Sequence, residues 1–569
     1  MKKSLKKYYN QFSVIAIIIF LIAINIGASL FHTRIDFTNE KRFTISSSTK
    51  KIIQKTKDII TVDIFLKGNY PSGFKKLASS TEDLLRDFQD ITSNKIQYRF
   101  ISPSEKVEGT EVLYSDTLAA MGLLPINLTA QVKGDQQQQY VYPFALVHFK
   151  ERVLPVEIYK GKTPIINFQD LNNAEAMLEY NFANAIAKIQ QETKHEIGYA
   201  IGNGEPMDYS VYDLAEMVLK PNYNLSIVNL STQKFINPDF KALIIAKPTL
   251  AFNDQQKFEI DQYLMNGGKL LFFIDRLNAE MDSLQINNQV IAYDRELGLN
   301  DLLFRYGVRI NPDLVMDLQC DYLPFDVNGN GQFEFLPWNY FPVLESSNNH
   351  PINKNLGFVA GRFVNSIDTT EVEGIKKTIL LQTSVNSRIM GTPALISGTE
   401  NSTAPEDEKF KTPHIPVAVL LEGKFKSFFA NRLSSEMQDT LSKYGMTFMP
   451  YASTDGKLIV AGDGDLVLNQ VVKGNQPLPM GMNAFTYGTQ RQFPFANKEF
   501  LLNSLDYLID ENGLSEAKGK EYVVRLLDTK KVNAERMYWQ MLNILSPILL
   551  MGLFTFIINW IKKRKYTLN

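Results

Sequence analysis

The sequence contains a single cysteine, Cys320, and only five histidines among its 569 residues. One cysteine excludes an intramolecular disulfide, so packing must stabilise the fold, as it can in a chain of this length. No two histidines have the spacing of a helical metal site, and no cysteine–histidine cluster of the zinc type occurs. The composition therefore excludes a disulfide scaffold and predicts no metal site.

Nucleotide-binding and nucleophile motifs are also missing. No G-x-x-x-x-G-K-[S/T] sequence occurs, which excludes ATP hydrolysis by the P-loop route. Gly202-Asn-Gly204 and Gly462-Asp-Gly464 are too short for a dinucleotide fingerprint and are more typical of tight turns. Cys320 lacks the flanking glycines of a nucleophile elbow. We therefore expect no cofactor and no enzymatic activity.

The net charge is only −1, but positive charge is concentrated at the two ends of the chain. Lysines 2, 3, 6 and 7 precede one apolar run, and residues 562–565 (Lys-Lys-Arg-Lys) follow another. Removing these eight charges leaves about −9 for the residues between them. A mildly acidic body argues against a nucleic-acid partner.

The two apolar runs, residues 12–31 and 541–561, are long enough to cross a bilayer as helices. A cleaved signal peptide is the alternative for the first run, but its apolar region would be shorter and end at a small-residue cleavage site. Trp539 and Trp560 lie near the ends of the second run, as in membrane-interface belts. The basic tails, residues 1–11 and 562–569, predict that both termini are cytoplasmic, with the main body periplasmic at a bacterial inner membrane.

The body is predicted to be a multi-domain α/β protein. In the first unit, residues 36–160, strands 61–67 and 95–101 flank a helix over 74–91, and a hairpin is expected over 140–159. This order resembles a thioredoxin-like sheet without the Cys-x-x-Cys motif. The glutamine-rich residues 134–139 are expected to form a surface loop.

The second unit, residues 170–510, begins with a predicted helix over 170–191. Strands at 195–202, 223–230, 242–246 and 269–275 alternate with helices at 209–219 and 254–265, which predicts a parallel, doubly wound sheet. Further strands are expected at 377–382, 416–421 and 458–462, a helix at 500–509, an irregular stretch at 324–350 and a mobile loop at 400–411. Residues 511–540 are expected to link this unit to the second membrane helix.

Two carboxylates are candidate ligand-binding residues because each follows a predicted strand. Glu205 lies after the first strand of the second unit, and Asp463 ends the strand at 458–462. Functional groups of α/β proteins gather at the carboxyl ends of strands, although aspartates there also cap loops. Asp326–Gly331 begins like a calcium loop, but Pro337 occupies the position of the bidentate glutamate, so a turn is favoured.

An aromatic stretch is the other candidate ligand site. Phe333, Phe335, Trp338 and Tyr340 lie close together in the sequence, and aromatic rings can stack on sugars. The same residue types also fill cores and interfaces, which is the more common role. A glycan- or peptide-binding protein therefore remains an alternative function, and a hydrolase or amidase centred on Glu205 or Asp463 is a weaker one.

Five phrases distributed over the chain resemble one known family. They are Lys41-Arg-Phe-Thr-Ile-Ser46 with the following TVDIFLKGNYPSGFKKL, His350-Pro-Ile-Asn-Lys-Asn355, Pro416-Val-Ala-Val-Leu-Leu-Glu-Gly-Lys-Phe425, Lys457-Leu-Ile-Val-Ala-Gly-Asp-Gly-Asp465 and Arg525-Leu-Leu-Asp-Thr-Lys-Lys-Val532. Together they resemble the GldG-type auxiliary, substrate-binding-like proteins of gliding-motility ABC transporters.

That resemblance implies a multi-span ABC permease and a separate cytoplasmic ATPase as partners, similar to GldF and GldA, in a bacterium of the Bacteroidota. It also implies that the middle sheet is similar to a class-I glutamine-amidotransferase-like domain. The chain has no G-x-C-x-G elbow, so amidotransferase chemistry is not carried over.

Overall fold

A computed structural model of the chain describes residues 19–20, 22 and 44–566, except for residues 122, 124, 133–134, 160–167, 192, 288, 328–329, 399–406, 473, 511–512, 515–517 and 519–528. The chain divides into two compact units, Met1–Glu521 and Tyr522–Asn569. All but three residues of the predicted first membrane helix, residues 12–31, and most of the predicted loop at 400–411 lie outside the described residues. The domain boundaries inferred from the sequence remain predictions.

The fold is mixed α/β, as the sequence predicts. The strands are, in chain order, β1 (Ile60–Ile64), β2 (Ile96–Phe100), β3 (Ile126–Val132), β4 (Asp135–Val141), β5 (Phe144–Phe149), β6 (Arg152–Glu157), β7 (Glu196–Ile201), β8 (Asn224–Asn229), β9 (Ala242–Ala246), β10 (Lys269–Phe273), β11 (Gln289–Ala292), β12 (Val308–Ile310), β13 (Asp313–Asp317), β14 (Cys320–Phe325), β15 (Glu334–Ser346), β16 (Val359–Ala360), β17 (Ile367–Thr369), β18 (Ile375–Gln382), β19 (Ser387–Gly391), β20 (Ala394–Ser397), β21 (Pro416–Gly423), β22 (Gly456–Ala461), β23 (Val471–Val472) and β24 (Gln476–Pro477).

The α-helices connect these strands and cover the sheets. They are, in chain order, α1 (Ser47–Gln54), α2 (Ser72–Ile91), α3 (Tyr114–Ala120), α4 (Phe168–Gln190), α5 (Lys220–Asn222), α6 (Asp254–Met265), α7 (Met281–Asn287), α8 (Asn300–Tyr306), α9 (Ser435–Lys443), α10 (Asn497–Ile509) and α11 (Thr529–Tyr566). Short 3₁₀ helices cover Tyr209–Val211, Asp407–Lys409 and Asp465–Val467. Residues Asp213–Leu219, predicted as part of an ordinary helix, form a π-helix.

The first sheet has the order β2-β1-β5-β6. Strands β1 and β2 are parallel, whereas β5 is antiparallel to both β1 and β6. Helices α1, α2 and α4 share one apolar core with this sheet, including Ile53, Phe88 and Phe182, each with no exposed surface. The side chain of Ser46 accepts a hydrogen bond from the backbone N–H of Thr49 and thereby caps the N-terminus of α1.

The glutamine-rich segment is a strand, so the predicted loop is wrong. Residues 135–141 form β4, which pairs antiparallel with β3 from Val132↔Asp135 to Ile126↔Val141. Glutamine lacks the β-branched or aromatic side chain that favours strands, but backbone pairing between neighbouring segments needs no apolar pattern. The polar composition therefore concealed a hairpin.

A ten-stranded sheet forms the centre of the second part, in the order β14-β15-β18-β21-β22-β10-β9-β7-β8, with β16 beside β15. Strands β8, β7, β9, β10 and β22 are parallel to one another. From β21 to β14 every pairing is antiparallel. The predicted doubly wound parallel sheet is thus correct for one half only, because strand–helix alternation stops after β10.

Both faces of the parallel half are buried, which explains its continuous apolar strands. In β9, Ala242, Ile244 and Ala246 face one core, and Leu243 and Ile245 face the other. Helix α6 covers the second face and begins with a capping box, in which Asn253 and Gln256 satisfy each other's backbone N–H groups. Strands buried this thoroughly leave polar side chains only at their ends.

Residues 324–350 are not irregular as predicted, because 13 of them form β15 and two more end β14. This strand is 13 residues long and pairs with β14, β16 and β18. The strand contains two prolines, Pro337 and Pro342, and lacks simple alternation of apolar and polar residues. For these reasons its sequence does not predict a strand. Consecutive residues of this strand are buried because the rest of the structure packs against both of its faces.

Helix α11 contains the predicted second membrane span. Within the described residues, one helix, over Glu535–Arg564, is long and apolar enough to cross a membrane, with a mean hydropathy of 2.2. Pro547 lies inside it without ending it. Large apolar side chains such as Leu549 and Phe554 are about two-thirds exposed, at 70% and 66%, which is the pattern of a lipid- or partner-facing helix.

Candidate functional site

Three neighbouring parallel strands end together at one edge of the large sheet, and each is followed by an ionisable side chain. Lys247 follows β9, Asp275 lies two residues beyond β10, and Asp463 and Asp465 follow β22. In open α/β sheets this carboxyl edge is where ligands usually bind. We call these four residues the strand-edge cluster.

The ammonium of Lys247 lies at the centre of the cluster. Its Nζ is 2.8 Å from both carboxylate oxygens of Asp465, 3.3 Å from Oδ2 of Asp275 and 3.1 Å from Oε2 of Glu280. Arg295 donates to the other carboxylate oxygen of Glu280. The Lys247 side chain is only 12% exposed, so this is a buried ion-pair network and not a surface salt bridge.

The backbone is shaped to bring these groups together. Lys247 has a φ of +49°, a left-handed conformation that is uncommon for a residue with a side chain. A Cβ on Gly464 would lie 2.8 Å from the Cβ of Lys247, and one on Gly462 would lie 2.4 Å from the carbonyl oxygen of Asn365. Both glycines of the Gly-Asp-Gly turn are therefore required by close contacts.

The pKa shifts indicate which members of the cluster are charged. Burial alone would lower the pKa of Lys247, but the carboxylates of Asp465, Asp275 and Glu280 outweigh burial and raise it, so the lysine is charged. Burial raises the pKa of Asp275 to about 6. Burial also raises the pKa of Asp463, and the neighbouring Asp275 and Asp465 carboxylates raise it further, well above its ordinary value. Asp463 therefore favours its protonated form.

Asp465 has the opposite behaviour. Burial acts to raise its pKa, but Lys247 and the guanidinium of Arg362 lower it below the ordinary value. Asp463 accepts the backbone N–H groups of Arg362 on Oδ2 and of Asp465 on Oδ1, both at 2.8 Å. All the described oxygens of these two carboxylates thus have partners inside the protein.

Oxygen donors at this spacing can hold a divalent cation. One carboxylate oxygen each from Asp275, Asp463 and Asp465 lie within 4.8 Å of one another. The ammonium of Lys247 already compensates the charge of Asp275 and Asp465, so the donor set does not require an ion. We interpret the cluster as internal ion pairing, in which lysine takes the role that a metal takes elsewhere.

The two carboxylates proposed from the sequence lie at the same edge of the sheet but are not brought together. Glu205 follows β7 and Asp463 follows β22, with β9 and β10 between them. Strands are spaced by about 4.8 Å, so three steps separate the two strands by roughly 14 Å. A shared catalytic centre built from both residues is not present.

Glu205 braces its own loop. Its Oε2 accepts the backbone N–H of Asn203 at 2.7 Å, and the Asn203 side-chain amide exchanges hydrogen bonds with Gln256 at 3.1 and 3.0 Å. Oε1 of Glu205 is buried and has no hydrogen-bond partner among the described residues. Burial raises the pKa of Glu205, which favours a protonated carboxyl.

The aromatic stretch does not form a continuous binding surface. Trp338 and Tyr340 have no exposed surface, and the Trp338 ring packs at 5.2 Å from Tyr340 and 4.9 Å from Phe341. Phe335 is half-buried, whereas Phe333 is 65% exposed. Core packing, the alternative considered for these rings, accounts for Trp338 and Tyr340.

Sequence reasoning missed Lys247, Asp275 and Glu280. A signal existed for the first two, since each is an ionisable residue close after a wholly apolar strand, as Asp463 is. Glu280 is different because nothing local to residues 276–280 indicates that it reaches β9. Its role depends on contacts between elements distant in the chain.

A second polar network, also missed, joins the two sheets. Asp506 of α10 accepts hydrogen bonds from Tyr223 at 2.5 Å, Lys188 at 2.7 Å, Asn184 at 3.0 Å and Tyr180 at 3.4 Å. Three of these donors lie on α4, which packs against the first sheet, whereas α10 packs against the second. We call this group the inter-sheet junction; it borders a cavity of about 140 Å³.

Comparison with known proteins gives two matches to families. Residues 194–504, more than half of the chain, match the family described as an ABC-type uncharacterized transport system. Residues 39–148 match a domain of unknown function. The first match covers the parallel strands, the strand-edge cluster and the first eight residues of α10.

Individual relatives are distant. An uncharacterized protein of Borreliella burgdorferi is 24% identical over 449 residues, which cover 76% of this chain and 81% of that protein. Among solved structures, the mmIFT52 N-terminal domain is 13% identical with a TM-score of 0.30, covering 55% of this chain and 96% of its own. A putative ThuA-like protein from Parabacteroides merdae is 9% identical with a TM-score of 0.26, covering 56% and 91%. The chain belongs to the family of ABC-type uncharacterized transport systems whose model spans its residues 194–504.

Proposed function

We propose that this protein is a non-enzymatic auxiliary subunit of an ABC transporter complex, of the GldG type, linked to gliding motility. In this proposal a membrane helix at each end anchors the chain, both termini are cytoplasmic, and the body acts in the periplasm. A multi-span permease similar to GldF and a separate ATPase similar to GldA are the partners. Residues 36–160 serve as a thioredoxin-like module without redox chemistry, as their strand order β2-β1-β5-β6 supports.

The non-enzymatic part of the proposal rests on the hydrogen bonds and ion pairs within the strand-edge cluster. A reactive centre needs an ionisable or nucleophilic group that can reach a substrate. Lys247, Asp275, Asp463 and Asp465 are instead bound to one another and to neighbouring backbone groups. Cys320 is half-buried, and burial raises the pKa of its thiol, so it is a poor nucleophile.

The partners can be tested by purifying the tagged full-length chain from native membranes in a mild detergent. We expect two further polypeptides to co-purify, one with several membrane spans and one with a P-loop, because this chain has the family relationship but no nucleotide motif of its own. A matched preparation, in which residues 541–561 of α11 are replaced by an unrelated apolar span, controls for non-specific co-purification. Recovery of the chain alone from both preparations contradicts the proposal.

Glu205→Gln tests the competing hydrolase assignment. We expect the variant to be as stable as the wild type at pH 7, or more stable by up to about 1 kcal/mol, because glutamine removes the cost of ionising a buried carboxyl. The raised pKa means that wild-type stability increases as pH falls through the folded-state value, so the difference should shrink in acid. Urea unfolding at pH 5 and pH 8 measures this.

The same variant should assemble normally and support normal ATP hydrolysis by the purified complex. Ser210→Ala, which removes an exposed hydroxyl bonded to Asp208 near the same loop, is the matched control. Loss of complex activity in Glu205→Gln, with the fold and assembly intact, would assign the carboxyl a chemical role and reject the non-enzymatic proposal.

A further inference from the structure

The outer edge of β8, which ends the ten-stranded sheet, has backbone groups available for pairing. The N–H of Asn224 donates to the carbonyl of His195, and the N–H of Leu230 donates to Ile201, both at 2.9 Å, so the even-numbered residues bond to β7. Leu225 and Ile227 therefore direct their backbone N–H and C=O groups outward. In the part of the chain that the structure describes, no residue bonds to those groups.

The other outer edges of the four- and ten-stranded sheets carry features that prevent further pairing, and β8 does not. Strand β14 has a register shift between Cys320 and Tyr322 and also contains Pro324. Strand β6 contains Pro155, and β2 carries the charged Arg99. Charge, proline and irregular register are the usual protections of edge strands. The sequence of β8, Asn-Leu-Ser-Ile-Val-Asn, has none of them.

Apolar side chains flank this edge. Ile227 is 52% exposed, and Met217 on the adjacent π-helix is 49% exposed. Leu225 packs against the core cluster that contains Leu214 and Val218 of that helix. Because side chains alternate along a strand, Ile227 lies on the same side as Leu225 and the helix. The edge thus combines open backbone groups with apolar surface.

We propose that β8 pairs antiparallel with β8 of a second copy of this chain, about a two-fold axis at Ser226. In this register Leu225 lies opposite Ile227 of the second copy, and the reciprocal pair repeats the contact, giving four backbone hydrogen bonds. Ser226 then faces its own equivalent. The pairing extends the sheet continuously from one copy into the other.

A second copy fits this edge because the strand is compatible with itself. A two-fold axis places each residue of β8 opposite another residue of β8, so any charge in the strand would meet a like charge. Because β8 contains no charged residue, this repulsion does not arise within the strand. Leu225 of one copy then meets Ile227 of the other across the axis. The inference is independent of the transporter partners proposed above.

Ser226→Cys tests the register. Because the outward bonds come from Leu225 and Ile227, Ser226 is a non-hydrogen-bonded position, where Cβ atoms of opposed residues lie about 4.5–5.5 Å apart. That spacing is close to the range of a disulfide and well within a short thiol cross-linker. In native membranes under mild oxidation, we expect the full-length variant to form a covalent dimer of twice the 64.8 kDa chain mass.

Three controls make the result specific. Gln97→Cys, an exposed position on the edge strand β2, should stay monomeric. Adding Ile227→Lys to Ser226→Cys should reduce the cross-linked fraction at least tenfold, whereas adding Ile291→Lys, at another exposed isoleucine, should not. Native mass spectrometry of the unmodified chain checks the dimer without any substitution. A monomer in both experiments, or cross-linking of Ser226→Cys to a different polypeptide, overturns the proposal.

Discussion

Replacing Lys247 with methionine is expected to lower the free energy of unfolding by about 3–5 kcal/mol, because it leaves buried carboxylates without their counter-ion. Asp465, Asp275 and Glu280 all lie within 3.3 Å of the Lys247 ammonium. Methionine has a similar length and meets the same left-handed backbone strain, so the change isolates the charge. Urea unfolding of the detergent-solubilised chain at pH 7 provides the measurement.

The pH dependence gives this prediction a second test. The raised pKa of Lys247 means that its stabilising charge is fully present below the unfolded-state value of about 10.4. In the variant, the uncompensated carboxylates should bind protons more readily, so the deficit should shrink as pH falls from 7 to 5. Lys106→Met, which breaks an exposed pair with Glu111, should cost less than about 1 kcal/mol. An equal, pH-independent loss in both variants contradicts the ion-pair interpretation.

Asp506→Asn is expected to cost a similar amount, about 3–5 kcal/mol, by leaving the ammonium of Lys188 largely buried without a carboxylate. Burial acts to raise the pKa of Asp506, but Lys188 and the donated hydrogen bonds lower it below its ordinary value. Its contribution is therefore fully present above the unfolded-state pKa of about 3.9 and is lost as pH falls through the lower folded-state value. Burial lowers the pKa of the neighbouring Lys518 to about 8, and Asp506 acts to raise it. The variant should lower that pKa further, so its cost in urea unfolding should grow as pH falls from 8 to 5.

A double-mutant cycle separates charge pairing from packing at the inter-sheet junction. Lys188→Met combined with Asp506→Asn should be less destabilised than the sum of the single variants, by 1 kcal/mol or more, because the two side chains are in contact at 2.7 Å. Glu82→Gln, in an exposed pair with Arg86, is the control for removing a carboxylate. Additive single effects would mean that the two charges do not interact across the junction.

Local sequence signals identified the elements that carry them strongly. Helix α6 and strand β9 begin and end at the predicted residues, because a capping box defines the first and a short apolar run the second. The first sheet also follows from alternation in β1 and β2. These signals depend on residues within a few positions of one another, so they can be recognised in the sequence itself.

The failures occurred where long-range pairing outweighs local preference. Strand β15 contains two prolines yet runs for 13 residues, and β4 is built largely from glutamine. Both are strands because a neighbouring segment supplies hydrogen bonds, and sequence periodicity does not report which neighbour that is. Strands β18 and β21 of the antiparallel half were predicted, but their antiparallel pairing was not, for the same reason.

With one cysteine and no P-loop motif, the sequence excludes an intramolecular disulfide and ATP hydrolysis by the P-loop route. Composition, apolar runs and caps determined the α/β class and the C-terminal apolar helix, because those properties depend on residues near one another in the chain. Only the tertiary structure decided that Lys247 neutralises Asp465 and that Asp506 joins two sheets. These contacts link residues 218 and 318 positions apart, and burial makes them strong only after the strands and helices have packed.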